Sequence, residues 1–327
     1  MRAFCVFLVC NLVLGLVRAG DGNYSLTKNF YKKVCPRAER LIRDITWKKT
    51  QADPALGAKL IRLQFHDCFL RGCDASVLLD TVGNTTAEKD AGPNRSLLGF
   101  DVIDEIKTQV EKLCPNTVSC ADILALTARD SVSFQYKKDL WDVYTGRRDG
   151  VVSLASEVNS NIPPPSSNFT SLKQLFASKG LNDVDLVVLS GAHTLGVAHC
   201  GAFSRRLFNF TGEGDVDPSL DPTYAAALRA KCPNPPNPST TVEMDPQSSL
   251  SFDNHYYNIL RQKEGLFVSD AALLTDASSA KLVEHLATKK DHTFFAYFAK
   301  SMKKMAAIGV LTGEAGQIRK QCRVVNA

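Results

Sequence analysis

Arg62-Leu63-Gln64-Phe65-His66-Asp67-Cys68-Phe69-Leu70-Arg71-Gly72-Cys73-Asp74-Ala75-Ser76 is the stretch on which the reading of this chain turns. Its first half is an apolar run with helical spacing, and Arg62 and His66 stand four residues apart in it. Positions i and i+4 share one helical face, so both side chains can point into one pocket. A fixed guanidinium beside an imidazole disfavours the imidazolium. His66 is then available as a proton acceptor near neutral pH, and Arg62 can stabilise negative charge that develops during the reaction. For the pair alone, a surface arginine and a satisfied core histidine would be the default. The flanks argue otherwise: Asp67, Asp74 and Ser76 crowd oxygen ligands around a turn that contains Gly72, and Cys68 and Cys73 can close that turn.

The chain has 327 residues, 44% of them hydrophobic. That is enough for one large domain or two lobes. Residues 1–19 read as a secretory signal, with Arg2, an apolar run from Ala3 to Val17, and small residues around Val17-Arg18-Ala19. The run is shorter than the roughly 20 apolar residues of a membrane span, and no later segment is apolar enough to cross one. Removing residues 1–19 takes away Arg2 and Arg18 and no acid, so the formal charge falls by two from +5 to +3. That is too weak for a nucleic-acid partner.

Ten cysteines occur, and Cys5 and Cys10 leave with the signal. The remaining eight read as four disulfides in an exported chain, with about 105 pairings open from sequence alone. No C-x-x-C pair favours zinc. Asn23, Asn84, Asn94, Asn168 and Asn209 each begin an Asn-x-Ser/Thr sequon.

Helical patterning is expected over 36–50, 54–69, 100–113, 119–134, 182–190, 222–230, 254–261 and 291–309. Ser119, followed three residues later by Asp122, reads as a cap close to a capping box. The best strand candidate is Trp141–Thr145. Loops are expected at 92–96, 147–167 and 232–251, the latter two rich in proline. The loop from Arg147 can separate two helical lobes with a ligand between them.

A second segment, Asp185-Leu186-Val187-Val188-Leu189-Ser190-Gly191-Ala192-His193-Thr194-Leu195-Gly196, ends an apolar helix in small residues and then presents His193. Small neighbours leave room for a large flat ligand. A lone histidine here would more often be structural; paired with Arg62 and His66 it looks like an iron ligand. With these motifs and Phe252-Asp253-Asn254-His255-Tyr256-Tyr257, the chain resembles the secreted plant (class III) haem peroxidases over essentially all of 35–322.

The resemblance implies a mainly α fold, two-lobed and helical, with haem between the lobes, few short strands and four disulfides. It places a distal lobe at roughly 20–150, a proximal lobe at roughly 151–310, and a C-terminus that returns to the distal side. It implies His66 as acid/base, Arg62 as charge stabiliser, Phe65 as the distal aromatic and Asn94 as the residue that orients His66. His193 would ligate the iron of one haem b, with Asp270 on its far nitrogen. Two calcium sites are implied. One takes Asp67, Asp74 and Ser76, the carbonyls of Asp67, Leu70 and Gly72, and Glu88 through water. The other takes Thr194, Asp245, Ser248 and Asp253, and the Ser251 carbonyl. The implied disulfides are Cys35–Cys114, Cys68–Cys73, Cys120–Cys322 and Cys200–Cys232.

Hydrogen peroxide and small phenolic donors are the implied partners, with Pro163 at the donor site and no nucleic acid or membrane span. Ala202 and Met244 stand where some relatives carry phenylalanines, and losing those rings is expected to weaken stacking with phenolic donors. A monomer is expected, in the extracellular space or cell wall rather than the vacuole, since only five residues follow Cys322. A non-catalytic haem- or calcium-binding wall protein would not need Arg62, His66 and Asn94 together. An intracellular relative fits poorly with the signal, the cysteines and Phe65. His199, His255, His285, His292, Lys289-Lys290, Lys303-Lys304 and the 233–238 proline loop read as structural or solvated.

Overall fold

The computed structural model describes residues 26–327; residues 1–19, read as a signal, with Cys5, Cys10 and Asn23, lie outside them. Among the described residues the chain forms thirteen α-helices, with several single 3-10 turns between them. They are α1 (Ala38–Ala52), α2 (Leu56–Phe69), α3 (Phe100–Leu113), α4 (Cys120–Ser133), α5 (Val158–Asn161), α6 (Phe169–Ser178) and α7 (Asp183–Ser190). Then follow α8 (Ser204–Phe208), α9 (Pro222–Lys231), α10 (His255–Arg261), α11 (Val268–Ala272), α12 (Ala277–Thr288) and α13 (Asp291–Met305). The fold is mainly α, as the sequence implies.

Helix α4 is the structural centre. Every one of its residues is buried, the polar Asp122, Arg129 and Asp130 included, and it packs against α1, α2 and α3. The Ser119 hydroxyl caps it by accepting the Asp122 amide at 3.1 Å. The expected return bond of a capping box is absent. Asp122 instead accepts the Tyr31 hydroxyl at 2.6 Å and Arg147 Nη1 at 2.7 Å, because a fully buried carboxylate requires strong donors. Helix α7 does start with a complete capping box, made by Asn182 and Asp185.

Two expectations are corrected. Trp141–Thr145 is not a strand: only Thr145 pairs, with Thr27, and no further neighbour supplies a ladder. The sheet consists instead of β1 (Val197–His199) and β2 (Thr241–Glu243), paired antiparallel with Ala198 opposite Val242. Helix α13 stops at Met305 rather than 309, and Gly309 at φ +53° carries the turn. The patterning also passes over α6 and α12, capped by Asn168 and Asp276.

The main core runs from Tyr31 to Cys322, and a second cluster gathers residues between Ala198 and Leu266. The disulfides of the structure are Cys35–Cys114, Cys68–Cys73, Cys120–Cys322 and Cys200–Cys232. The C-terminal segment lies against 148–150 through Arg148–Leu311 and Asp149–Gln317 bridges. Cys120 and Cys322 are separated by 202 residues, and closing so long a loop is worth about 5 kcal/mol in the chain-entropy account. The double variant Cys120→Ser, Cys322→Ser is expected to lose unfolding free energy of that order in urea titration; an unchanged midpoint would contradict this.

Candidate active site

Helix α2 carries Arg62 and His66 one turn apart on one face, as their spacing requires. Ala58, one turn earlier still, abuts the segment after His193: a Cβ placed on Gly196 would meet the Ala58 methyl at 2.8 Å. Gly196 sits at φ +88°, and only glycine combines that conformation with so close an approach. The face bearing Arg62 and His66 therefore lies beside the strand-turn that presents His193.

His66 is buried, and its Nδ1 lies 2.7 Å from Asn94 Oδ1. Asn94 Nδ2 donates to the Glu88 carbonyl at 2.9 Å. That bond orients the amide so that its oxygen faces the imidazole. Nδ1 therefore carries the proton, and Nε2 keeps a free lone pair. Burial, and then the positive charge of Arg62, push His66 down to about 3, against a smaller upward effect of the Asn94 hydrogen bond. Arg62 is held by the same loop, donating to the carbonyls of Ser96 at 3.1 Å and Pro93 at 3.0 Å. The Phe65 ring meets His66 edge-on at 5.4 Å.

His193 stands in a 3-10 turn, Gly191–Thr194, at the end of α7. Its Nδ1 donates to Asp270 Oδ1 at 2.7 Å. The Phe267 and Tyr256 rings stand edge-on to it. Burial alone would raise the Asp270 carboxyl, but His193 beside it and the hydrogen bonds from His193, the Phe267 amide and Tyr256 more than offset this. Asp270 is thus held below the usual carboxylate range. The His193 side chain remains 38% accessible although its outer nitrogen is anchored. An imidazole anchored by one nitrogen whose ring is still partly accessible suits a metal ligand.

Asp67, Asp74, Ser76 and Glu88 are all buried within one loop system. Ser76 Oγ donates to Glu88 Oε2 at 3.2 Å, the Ser76 amide to Asp74 Oδ1, and the Ala75 amide to Asp67 Oδ2. Asp67 Oδ1 and Glu88 Oε1 have no donor. Burial and mutual repulsion raise Asp67 well above its ordinary value, burial raises Asp74, and burial, then Asp74, raise Glu88 to about 8. Arg319 lies close enough to offset part of this charge. The carbonyls of Gly72 and Leu70 accept the Asp74 amide and Lys179 Nζ. Gly72 itself needs its φ of +105°, and a Cβ there would strike the Gly309 backbone.

At the other end, Thr194 Oγ1 lies 3.0 Å from Asp245 Oδ2, 3.1 Å from Asp253 Oδ1 and 3.3 Å from the Ser251 carbonyl. Ser248 Oγ donates to Asp253 Oδ2 at 2.6 Å. Burial lifts Asp245 to about 6. Among the described residues no three His, Cys, Asp or Glu side chains converge closely enough to chelate a cation unaided. The other oxygens beside each carboxylate group belong to hydroxyls and carbonyls.

A family model described as Peroxidase matches residues 42–289. Peroxidase 24 of Arabidopsis thaliana is 54% identical over 95% of this chain and 90% of the relative. The chain belongs to the class III plant peroxidases. Peroxidase 3 of Arabidopsis thaliana is 51% identical over 96% of each chain, and Peroxidase 1 of Oryza sativa subsp. japonica 47% over 98% of each. This peroxidase is therefore an enzyme that reduces hydrogen peroxide at the expense of a donor.

The sequence reading misses two residues beside the site. Tyr256 donates to Asp270 Oδ1 at 2.8 Å, and His255 Nδ1 lies 2.6 Å from Asp245 Oδ1. The Phe-Asp-Asn-x-Tyr-Tyr motif contains both positions, but nothing local says where their polar atoms go. Lys304 is not merely solvated; it pairs with buried Asp185 at 2.8 Å. Pro163 is half-buried, Ala202 is exposed, and Met244 is buried in the second core cluster. A surface cavity of about 330 Å³ between Trp141, Arg147 and Met302 contains none of the site residues. No helix among the described residues is long and apolar enough to cross a membrane.

Asn84, Asn168 and Asn209 are exposed, but Asn94 is buried with both amide atoms engaged. A glycan on Asn94 would displace the Glu88 bond and misorient His66. Glycopeptide mass spectrometry of active enzyme is expected to find Asn94 unmodified; a glycan there in fully active protein would refute the assigned geometry.

Proposed function

We propose that this enzyme is a secreted haem peroxidase that uses two calcium ions and oxidises small phenolic donors. One observation carries the reading: both imidazoles have Nδ1 committed to an oxygen acceptor, Asn94 or Asp270, which leaves both Nε2 atoms bare. One free nitrogen suits iron ligation and the other suits proton transfer.

Haem, when bound, supplies the redox centre at which peroxide is reduced and donors are oxidised. His193 would hold it, with Asp270 making that imidazole more electron-rich. His66 Nε2 takes the proton from one peroxide oxygen and delivers it to the other, which leaves as water. Arg62 stabilises the charge on the departing oxygen. Phe65 keeps the neighbourhood of His66 apolar. The calcium ligands Asp67 and Thr194 directly follow His66 and His193 in sequence, so bound cations would fix both rings. Phenolic donors would approach near Pro163, whose neighbour Pro165 accepts the Ser269 amide at 3.0 Å, next to Asp270.

The pH profile tests the role of His66. With His66 at about 3, the peroxide rate constant is expected to stay level from neutral down to about pH 4 and to fall only beyond. Stopped-flow measurement across that range decides it, and a fall centred near the ordinary histidine value of 6.5 would refute the role. The unfolded chain takes up a proton near 6.5 that the folded site refuses until about 3. Stability from this group is therefore fully present above that window and declines as pH falls through it, by about 1.4 kcal/mol per unit.

A further inference from the structure

Asp270 is shared. Its Oδ1 accepts both the His193 Nδ1–H at 2.7 Å and the Tyr256 hydroxyl at 2.8 Å, while its Oδ2 accepts the Phe267 amide at 2.8 Å. Tyr256 is 1% exposed, its ring stands edge-on to His193 at 5.9 Å, and it has no other acceptor among the described hydrogen bonds. The pull of a carboxylate on an imidazole proton grows with the charge left on its oxygen. A second strong donor on the same oxygen draws that charge away. The two bonds therefore compete directly.

We propose that Tyr256 is a positioning residue that limits how far Asp270 can draw the proton from His193, and so sets the electron-donating strength of that imidazole. The inference rests on the reading of His193 as the iron ligand. Without the phenol, Asp270 would hold the Nδ1 proton more tightly, and His193 would gain imidazolate character. A more electron-rich axial ligand favours the higher oxidation states. Tyr256 would then act as a brake, keeping the iron reducible enough for turnover by one-electron donors.

The test uses the haem-loaded, full-length mature enzyme reduced to the ferrous state. The readout is the iron–histidine stretching band in resonance Raman, with the ferric/ferrous potential measured alongside. Tyr256→Phe is expected to move the band to higher frequency and the potential downward. Tyr257→Phe is the control: it is an equally buried tyrosine of α10 whose hydroxyl faces the Val187 and Val188 carbonyls at 3.3 and 3.4 Å. It is expected to leave both readouts in place. Should Tyr256→Phe fail to fold, 3-fluorotyrosine at 256 keeps the shape and strengthens the donor; it is expected to move the band to lower frequency. A band present in the parent but unmoved by Tyr256→Phe, or raised by the fluorinated residue, overturns the proposal alone. A parent enzyme without any iron–histidine band overturns the assignment of His193, and this proposal with it.

Discussion

Replacing His66 with alanine is expected to lower the second-order rate constant for hydrogen peroxide by about 10² to 10⁴, while haem content stays at the parent level. The separation follows from the geometry. His66 and Asn94 form one hydrogen-bonded pair, and His193, Asp270 and Tyr256 form a separate group. Removing the first imidazole leaves every bond of the second intact. What is lost is the bare Nε2 that takes and returns the proton, and Arg62 then has no base to work beside. Stopped-flow kinetics at fixed donor concentration measure the rate, and the haem absorbance ratio measures loading. A variant that keeps the parent rate would remove His66 from the mechanism. A variant that loses haem would show that the two groups are not independent.

Stripping the proposed calcium is expected to produce the largest change in stability. Asp67, Asp74 and Glu88 are buried close together, and two of their oxygens have no donor. Withdrawing a cation from such a cluster leaves buried carboxylates that must stay charged or take up protons at unfavourable pH, at a cost of about 3–5 kcal/mol. For a chain of this size that corresponds to a melting temperature lower by on the order of 6–10 °C. Calorimetry with and without a chelator measures it, and added calcium, not magnesium, is expected to restore the transition because the site offers many flexible oxygen ligands.

The pH dependence of the stripped protein follows from Glu88, raised from 4.5 to about 8. The folded state keeps a proton that the unfolded chain releases above 4.5. Stability from this group is present below that value and is lost as pH rises through about 8. The stripped enzyme is therefore expected to melt lower at pH 8 than at pH 5. A melting curve indifferent to both chelator and pH would dispose of the distal calcium site.

Much of the architecture is legible because it is local. The spacing of Val102, Ile106 and Val110 marks α3 with its ends in place, and Ser119 followed by Asp122 marks the start of α4. Trp141–Thr145 misleads because β-branched and aromatic residues state only a preference for extension. A strand needs a partner along its length, and here only Thr145 has one. The true pair, Val197–His199 with Thr241–Glu243, is three residues long on each side. Too short to show a period, it is made by a contact across more than forty residues.

The sequence by itself determines that Arg62 and His66 share a face, that Asp67 and Thr194 are tied to the two histidines, and that eight of the ten cysteines lie beyond residue 19. These follow from helical geometry and adjacency, which need no knowledge of the rest of the chain. Only the tertiary structure decides which nitrogen of each histidine is free. That choice belongs to Asn94, 28 residues from His66, and to Asp270, 77 residues from His193. It also brings Tyr256 onto the same carboxylate. A tautomer is fixed by an acceptor at hydrogen-bond distance in space, and distance in space is what folding sets.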